Sequence, residues 1–201
     1  MTVGKQLEIT FGGKLQDVLS NGLKKMRPDN LYNTKFETSF GWIALEKNAR
    51  GVTRCSLPEK QESKCMEEIK GWDSKHLKTT DLFSKEIEKL RGYLEGKNYS
   101  LQDISLDVST APRFYKTAWA ICRSIGVGRT KPYKWVAEKS GSPKASRAVG
   151  QAMANNKITL IIPCHRVIGA NGNLTGFGKG KTRLDLKLEL LELEKEYISK
   201  H

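Results

Sequence analysis

Apolar positions in the first half of the chain alternate in two short runs and then recur at helical spacing. Residues 38–45 and 52–57 alternate as strands do, and residues 47–51 lie between them as the connection. The pattern therefore predicts a small antiparallel sheet. A helix is predicted over residues 80–95, ending at Gly96, because apolar residues recur there at steps of three and four. These residues are Leu82, Phe83, Ile87, Leu90 and Leu94.

The pattern of the first thirty residues supports two different elements. Residues 7–11 alternate like a strand, whereas Leu15, Val18, Leu19 and Leu23 recur at helical spacing. Residues 97–110 carry no such period and are predicted to bridge the two halves of the chain.

Helical periods dominate the second half. The first helix begins at Pro112 and ends at Gly126, a second covers residues 133–139, and a third runs from Ser142 to about residue 155. A short turn with Gly141 separates the second helix from the third, which is typical of a helix-turn-helix. A closing helix is predicted over residues 182–199. The pattern favours an α+β fold, with a sheet-containing domain over residues 1–108 and a mostly helical domain over residues 109–201.

Charge distinguishes the two halves more sharply than hydropathy does. The chain has 201 residues and a formal net charge of +13. Residues 1–108 hold 18 basic and 16 acidic residues, whereas residues 109–184 hold 14 basic residues and one acidic residue, Glu138. A stretch whose charged residues are nearly all basic predicts a polyanionic partner, and nucleic acid is the leading candidate. A basic domain with no such partner is the alternative.

The third predicted helix combines small residues with one long cation. Small side chains surround Arg147, and they would allow the helix surface to approach a narrow groove while the guanidinium reaches into the base stack. The alternative is that the small residues pack this helix against a neighbouring helix. The small residues are Ala145, Ser146, Ala148 and Gly150, and Lys144 precedes them.

A cysteine followed by a histidine and an arginine stands at the end of an apolar run. Residues 158–162 read as a strand that leads into Pro163-Cys164-His165-Arg166-Val167. A thiol becomes a strong nucleophile as the thiolate, and neighbouring cations lower its pKa. The motif therefore predicts a reactive cysteine, although a lone cysteine is more often a small buried hydrophobic residue.

The remaining composition argues against several other classes of protein. Four cysteines without paired short spacing, together with three histidines, predict neither a structural metal site nor a disulfide scaffold. No cofactor is predicted. The chain has no apolar run of membrane-spanning length and no leader-like start, so it is expected to be intracellular, in the cytoplasm or the nucleus.

These segments together resemble the O6-alkylguanine-DNA alkyltransferases, also called methylated-DNA-[protein]-cysteine methyltransferases. The resemblance covers residues 112–194 and is carried by motifs in a specific order and spacing. They are Tyr133, residues 142–153, Asn155-Asn156, Pro163–Val167, Gly176-Phe177-Gly178 and Leu184-Asp185-Leu186-Lys187 followed by Leu190-Leu191. The first half resembles the family's sheet domain weakly, chiefly through Phe40-Gly41-Trp42.

The resemblance implies direct reversal of DNA damage by a protein that acts once, as a monomer on the minor groove of double-stranded DNA. Arg147 would replace a flipped O6-alkylguanine in the base stack, and Cys164 would take its alkyl group. O4-alkylthymine would be a poorer substrate. His165 would draw off the thiol proton through a water molecule, oriented by a carboxylate.

The helical period of the last segment decides which carboxylate is expected to orient His165. Glu194 shares a helical face with Leu190, Leu191, Tyr197 and Ile198, whereas Glu192 has mostly charged neighbours. Glu194 is therefore predicted, although a shift of the helix would favour Glu192.

The resemblance also assigns residues around the flipped base. Tyr133 would protonate the leaving guanine and Asn156 would brace the turn before the cysteine. Met153 and Phe177 would form apolar walls, although packing in the core explains them equally well. The carbonyls of Val167 and Cys164 would accept from the exocyclic amine, the amide of Gly178 would meet O6, and Arg166 is also assigned to substrate binding.

Three departures from the family pattern stand close to these positions. Pro132 precedes Tyr133, Phe177 replaces a frequent tyrosine, and residues 179–183 form a short basic insertion. Two other functions remain open at this point: a lesion-sensing DNA-binding protein without transfer, and a cysteine hydrolase that uses Cys164 and His165. Known lesion-sensing relatives lack the reactive cysteine, and a cysteine hydrolase would need neither Arg147 nor the basic stretch.

Overall fold

The structure is a computed structural model that describes residues 30–72, 75–76, 80–97, 100–178 and 183–200. The two alternatives for the first thirty residues concern positions outside this part of the chain. Four of the five positions of the predicted insertion, residues 179–182, also lie outside it.

The first half folds around a four-stranded sheet. Its strands are β1 (Tyr32–Thr38), β2 (Gly41–Asn48), β3 (Gly51–Cys55) and β4 (Lys75–His76), in the order β3-β2-β1-β4. The first three pair antiparallel, and β4 pairs parallel with β1. The predicted antiparallel sheet is confirmed, but β1 was not predicted, and β2 begins and ends three residues later than expected.

A glycine fixes the turn between β1 and β2. Gly41 has a φ of +114°, and a Cβ atom there would lie 2.5 Å from the carbonyl oxygen of Glu59. A side chain at this position would therefore break the close contact that Trp42 makes with Glu59 through two backbone hydrogen bonds.

Six helices are present among the described residues. They are α1 (Glu62–Lys70), α2 (Ser84–Leu94), α3 (Arg113–Arg123), α4 (Tyr133–Lys139), α5 (Ser146–Ala154) and α6 (Leu184–Lys200), and a 3-10 turn (Thr80–Phe83) precedes α2. The sequence predicted every one of them except α1. Helix α5 begins four residues later than expected because Ser142–Ala145 closes as a separate turn, with the Ala145 amide donating to the Ser142 carbonyl over 2.8 Å.

The predicted strand at residues 158–162 is wrong. This segment forms turns, with Leu160 at a φ of 65°, and its pairing with the sheet is an isolated bridge between Ile158 and Cys55. Its apolar side chains are buried on all sides, so their pattern could not separate a strand from a packed turn. Pro163 then leads into a 3-10 turn (Cys164–Arg166) and a two-residue strand, β6 (Val167–Ile168), which pairs parallel with β5 (Lys131–Pro132).

One hydrophobic core extends through both halves of the chain. It joins Phe36, Ile43 and Leu45 of the sheet to buried residues of α2, α3, α5 and α6. The division into domains at residues 108 and 109 stays a prediction. Among the described residues, no helix has both the length and the apolar character needed to cross a membrane.

Candidate active site

Cys164 lies at the start of the 3-10 turn, and its side chain is almost completely buried. The residue is 7% exposed, and its sulfur is a free thiol. A 3-10 turn has three residues per turn, so successive side chains diverge by about 120°. His165 and Arg166 are therefore adjacent to Cys164 in sequence but are directed elsewhere.

Asn156 fixes the turn that precedes the cysteine. Its side-chain oxygen accepts a hydrogen bond from the Ile158 amide over 2.9 Å. Its side-chain nitrogen donates to the Ile162 carbonyl over 2.9 Å and to the Cys164 sulfur over 3.3 Å. The amide thus spans the turn and contacts the thiol directly.

His165 and Arg166 both contact Glu194, a residue of α6. The His165 Nε2 atom lies 3.0 Å from Oε1 of Glu194. The Arg166 guanidinium donates to the same oxygen from Nη2 over 2.7 Å and from Nε over 3.0 Å. The Gly128 amide donates to Oε2 over 2.9 Å. Glu194 is therefore held from three sides, whereas Glu192 is exposed on the same helix.

The charges in this cluster follow from its burial. Burial by itself would raise the pKa of Glu194, but the hydrogen bonds from His165 and Arg166 and the charge of Arg166 outweigh that effect and hold the pKa at about 2. Burial lowers the pKa of His165 despite the neighbouring carboxylate, so the imidazole is neutral near pH 7. The cluster thus pairs Glu194 with the charge of Arg166 and leaves the imidazole uncharged.

The neutral imidazole carries its hydrogen on Nε2. Glu194 is ionised and can only accept a hydrogen bond, so Nε2 must be the donor in their contact. The lone pair is then on Nδ1, which is buried and has no hydrogen-bond partner among the described residues. Nδ1 is therefore the basic atom of this histidine.

The expectation that His165 and Arg166 lower the pKa of the thiol is wrong. The imidazole is uncharged, and the guanidinium is paired with Glu194. Burial raises the pKa of the Cys164 thiol, and the hydrogen bond from Asn156 and the positive charge of Lys187 offset part of that rise. The groups that favour the thiolate are thus the Asn156 side chain, the charge of Lys187 and backbone hydrogen bonds at Cys164 and His165, rather than charges on the next two side chains.

Lys187 is a fully buried cation that the predicted site did not include. Its ammonium donates to the Val167 carbonyl over 2.7 Å and to the Thr175 carbonyl over 2.9 Å. Burial lowers the pKa of Lys187 to about 8. The lysine was visible in sequence as part of the Leu-Asp-Leu-Lys motif, but nothing in the pattern indicated that its charge is buried near the cysteine.

A second missed residue comes from the first half of the chain. Tyr93, at the end of α2, is completely buried, and its hydroxyl donates to Oε1 of Glu194 over 2.7 Å. The hydroxyl oxygen of Tyr93 also lies 3.3 Å from Nε2 of His165. Because Tyr93 is 101 residues from Glu194 in sequence, no local pattern could have linked them.

The residues expected around the substrate fall into two groups. Met153, Val167 and Phe177 are buried in the main core, and the Phe177 ring meets the His165 ring edge-on with centroids 6.3 Å apart. The Val167 carbonyl accepts from Lys187 and retains a second lone pair. Arg166 differs, because its guanidinium faces Glu194 and the Ile125 carbonyl, which favours support of Glu194 over contact with a substrate.

Two of the expected residues belong to the surface beside this core. The Tyr133 hydroxyl accepts a hydrogen bond from the Thr175 hydroxyl over 3.2 Å, and burial raises the pKa of Tyr133. Gly178 has a φ of +69°, and a Cβ atom there would lie 3.0 Å from the Arg183 side chain.

Helix α5 exposes the small residues that the sequence singled out. Arg147, Ala148 and Lys144 are exposed, and Ala145, Ser146 and Gly150 are partly exposed. Val149, Ala152 and Met153 make up the buried face. A Cβ atom at Gly150 would meet nothing within 4 Å, so packing within the described chain does not require glycine there.

Comparison with known proteins identifies the family of the chain. Residues 113–196 match the family model described as the DNA binding domain of 6-O-methylguanine DNA methyltransferase. A methylated-DNA–protein-cysteine methyltransferase of Methanosarcina acetivorans is 36% identical over 167 residues, which cover 82% of this chain and 98% of the relative.

Solved structures of O6-methylguanine methyltransferases have a similar fold. The O6-methylguanine methyltransferase of Mycobacterium tuberculosis is similar with a TM-score of 0.66 and 32% identity, covering 83% of this chain and 94% of that one. The structure of the Mycobacterium tuberculosis OGT in complex with DNA matches over the same shares, with a TM-score of 0.65 and 33% identity. The chain therefore belongs to the methylated-DNA–protein-cysteine methyltransferase family.

Proposed function

We propose that the protein repairs O6-alkylguanine in double-stranded DNA by moving the alkyl group to Cys164. The observation that carries this proposal is a buried thiol beside a neutral histidine that is held by an ionised glutamate. Family membership and the exposed small residues of α5 support DNA as the partner. O4-alkylthymine is the expected poorer substrate, and the protein acts as a monomer.

DNA binding is the first step. The basic stretch provides exposed cations for phosphate contacts, and α5 enters the minor groove as the second helix of a helix-turn-helix formed by α4 and α5. No atom of the described residues lies within 4 Å of a Cβ atom placed at Gly150, which supports this role, because the groove rather than the protein would then require a small residue. The exposed cations are Arg113, Arg129, Lys134, Lys139, Lys144, Arg147 and Lys157.

Base flipping is the second step. The alkylated oxygen lies inside the duplex, so the nucleotide must leave the stack before a sulfur atom can reach it. Arg147 is exposed near the start of α5 and is long enough to occupy the vacated space. Met153, Val167, Phe177 and the Gly178 amide then surround the base.

Alkyl transfer is a displacement at carbon. The thiol proton passes through a water molecule to Nδ1 of His165, and the imidazolium is stabilised by Glu194. The sulfur forms a bond to the alkyl carbon while the bond from that carbon to O6 breaks, and the electron pair stays with guanine. Tyr133 protonates the leaving guanine; its hydroxyl accepts from Thr175, so its own hydrogen is available for donation.

The product determines how often the protein acts. S-Alkylcysteine is a thioether without a good leaving group, and no step above removes the alkyl group. Each chain should therefore act once, unlike a hydrolase.

Intact mass measurement tests the proposal. After incubation with duplex DNA containing O6-methylguanine, the protein should gain one methyl group, located on Cys164 by peptide mapping. Cys164→Ala should gain none, whereas Cys65→Ala, which removes another buried free thiol, should gain one. An unchanged mass with retained lesion binding would instead indicate a lesion sensor, and repeated turnover would indicate a hydrolase.

A further inference from the structure

Tyr93 brings a hydroxyl group from the first half of the chain into the cluster around Glu194. Its side chain is completely buried, at the end of α2. The hydroxyl oxygen lies 2.7 Å from Oε1 of Glu194 and 3.3 Å from Nε2 of His165. One phenol thus contacts both the histidine and the carboxylate that orients it.

The direction of the two contacts follows from protonation. Burial and the neighbouring Glu194 raise the pKa of Tyr93 well above its usual value, so the phenol stays protonated. Its hydrogen is donated to Glu194, and its oxygen accepts from Nε2 of His165. Nε2 therefore faces two acceptors, which favours the form of the imidazole with hydrogen on Nε2 and a lone pair on Nδ1.

Other groups that hold Glu194 cannot replace this contact. Arg166 and the Gly128 amide fix the carboxylate, but within the described part of the chain their hydrogen bonds go to Glu194 and the Ile125 carbonyl and not to the imidazole, and Phe177 meets that ring in an edge-on contact. Tyr93 fixes the carboxylate and the Nε2 edge of the ring at once. Its hydroxyl is therefore placed to set the orientation of the ring relative to Glu194.

We propose that Tyr93 is a positioning residue for alkyl transfer, which keeps Nδ1 of His165 as the atom that receives the thiol proton. The first half of the chain then supplies the sheet and also one residue of the transfer machinery. This inference rests on the proposed function, because it assigns a role within the same reaction.

Tyr93→Phe removes the hydroxyl and keeps the ring. In a single-turnover reaction with excess free benzylguanine, this variant should still take one benzyl group per chain. The rate constant should be about tenfold lower, as expected when one hydrogen bond to a charged group is lost from the transition state. The half-saturating concentration of benzylguanine should be unchanged, because Tyr93 lies behind the histidine and outside the expected base pocket.

Ile87→Val is the matched control, because Ile87 is a buried residue of the same helix without a polar contact to the site. It should lower the thermal midpoint and leave the rate constant unchanged. A Tyr93→Phe rate equal to that of the wild type would overturn the inference. The same fall in rate in Ile87→Val, or a loss of amplitude without a change in rate, would assign Tyr93 to stability alone and also overturn it.

Iodoacetamide separates this inference from the proposed function, because its reaction with Cys164 needs neither DNA nor a base pocket. If the wild type takes no alkyl group from guanine but Tyr93→Phe slows carboxamidomethylation of Cys164, the proposed function fails and the role of Tyr93 stands. If the wild type takes the alkyl group and Tyr93→Phe matches its rate in both reactions, the function stands and the role of Tyr93 fails.

Nitrogen NMR of the wild-type imidazoles provides a test that does not depend on the folding of a variant. The chain has three histidines, so the resonances of His165 can be assigned by comparison with His165→Gln. Hydrogen on Nε2 near neutral pH is the expected result. Hydrogen on Nδ1 would overturn the inference.

Discussion

At the scale of single residues, neighbours in sequence have separate roles in the site. Cys164, His165 and Arg166 are consecutive, yet the 3-10 turn directs the guanidinium to Glu194, and the side chains that favour the ionised thiol are those of Asn156 and Lys187. The motif predicts Cys164 as the nucleophile, which stays a prediction, but the charges it suggested as the cause of a lowered thiol pKa are not the ones that act on the sulfur. Contacts across the fold, rather than adjacency, set the charge at the thiol.

The pH dependence of stability should report on Glu194. Its pKa of about 2 in the folded chain lies below the ordinary value of 4.5, so its stabilisation is present above pH 4.5 and is lost as the pH falls toward 2. By pH 3 this group should have lost about 2 kcal/mol of its contribution to the free energy of unfolding.

Urea unfolding at pH 5 and pH 3 measures this contribution. The difference in the free energy of unfolding between the wild type and Glu194→Gln should shrink by about 2 kcal/mol from pH 5 to pH 3. A difference that does not change with pH would show that Glu194 is not held as an ionised carboxylate. At pH 7 the variant should be less stable by about 3 kcal/mol or more, because Arg166 is left buried without its partner.

At the scale of elements, periodicity predicted the helices well and the short extended segments poorly. Helices α3 and α4 each bury one face, so their period was visible in sequence. Strand β1 was missed because Asn33 and Thr34 are buried polar residues within it. Residues 158–162 were predicted as a strand because they form a short apolar run, which a strand and a buried turn can share. Leu160 adopts a left-handed conformation that the sequence does not reveal.

The role of α5 in base flipping can be tested at Arg147. Arg147→Ala should slow repair of O6-methylguanine in duplex DNA by about tenfold or more, since unstacking a base costs a few kcal/mol. Its reaction with free benzylguanine should be nearly unchanged. Arg129→Ala, which removes another exposed arginine of the basic stretch, is the matched control and should affect duplex repair less. Equal losses on both substrates for Arg147→Ala would contradict the role.

Gly150 tests whether the groove or the protein requires a small residue on α5. Gly150→Ala should raise the free energy of unfolding by about 0.5–1 kcal/mol, because alanine favours a helix and its Cβ atom meets nothing within 4 Å. Gly150→Leu should remain folded and react with free benzylguanine at the wild-type rate. It should bind and repair duplex DNA poorly, and normal duplex repair by this variant would place the DNA on another surface.

At the scale of the whole molecule, the site depends on contacts between distant parts of the chain. Cys164, His165 and Glu194 could be proposed from the sequence, because each belongs to a motif or to a clear helical period, and the contact between His165 and Glu194 is present in the structure. Tyr93 was not found, because its hydrogen bond to Glu194 joins residues 101 apart, and it is the main hydrophobic core that brings α2 and α6 together. Sequence patterns describe elements, and the packing of those elements completes the site.

The charge asymmetry between the two halves of the chain predicts which lysines contribute to the salt dependence of DNA binding. Lys144 is exposed beside α5, and Lys64 is exposed on α1 in the balanced half of the chain. Lys144→Gln should make the slope of log affinity against log salt less negative by about one, as expected for the loss of one phosphate contact. Lys64→Gln should leave the slope unchanged. A similar effect of both variants on the slope would contradict a localised DNA surface.

The number of lesions repaired per chain tests the central claim that Cys164 is consumed in the reaction. Increasing amounts of protein are added to a fixed excess of duplex DNA containing O6-methylguanine, and the remaining lesion is measured after the reaction has stopped. The account predicts one guanine restored and one S-methylcysteine formed at position 164 for each active chain, however long the incubation. Continued repair beyond one lesion per chain, or repair by Cys164→Ala, would contradict it.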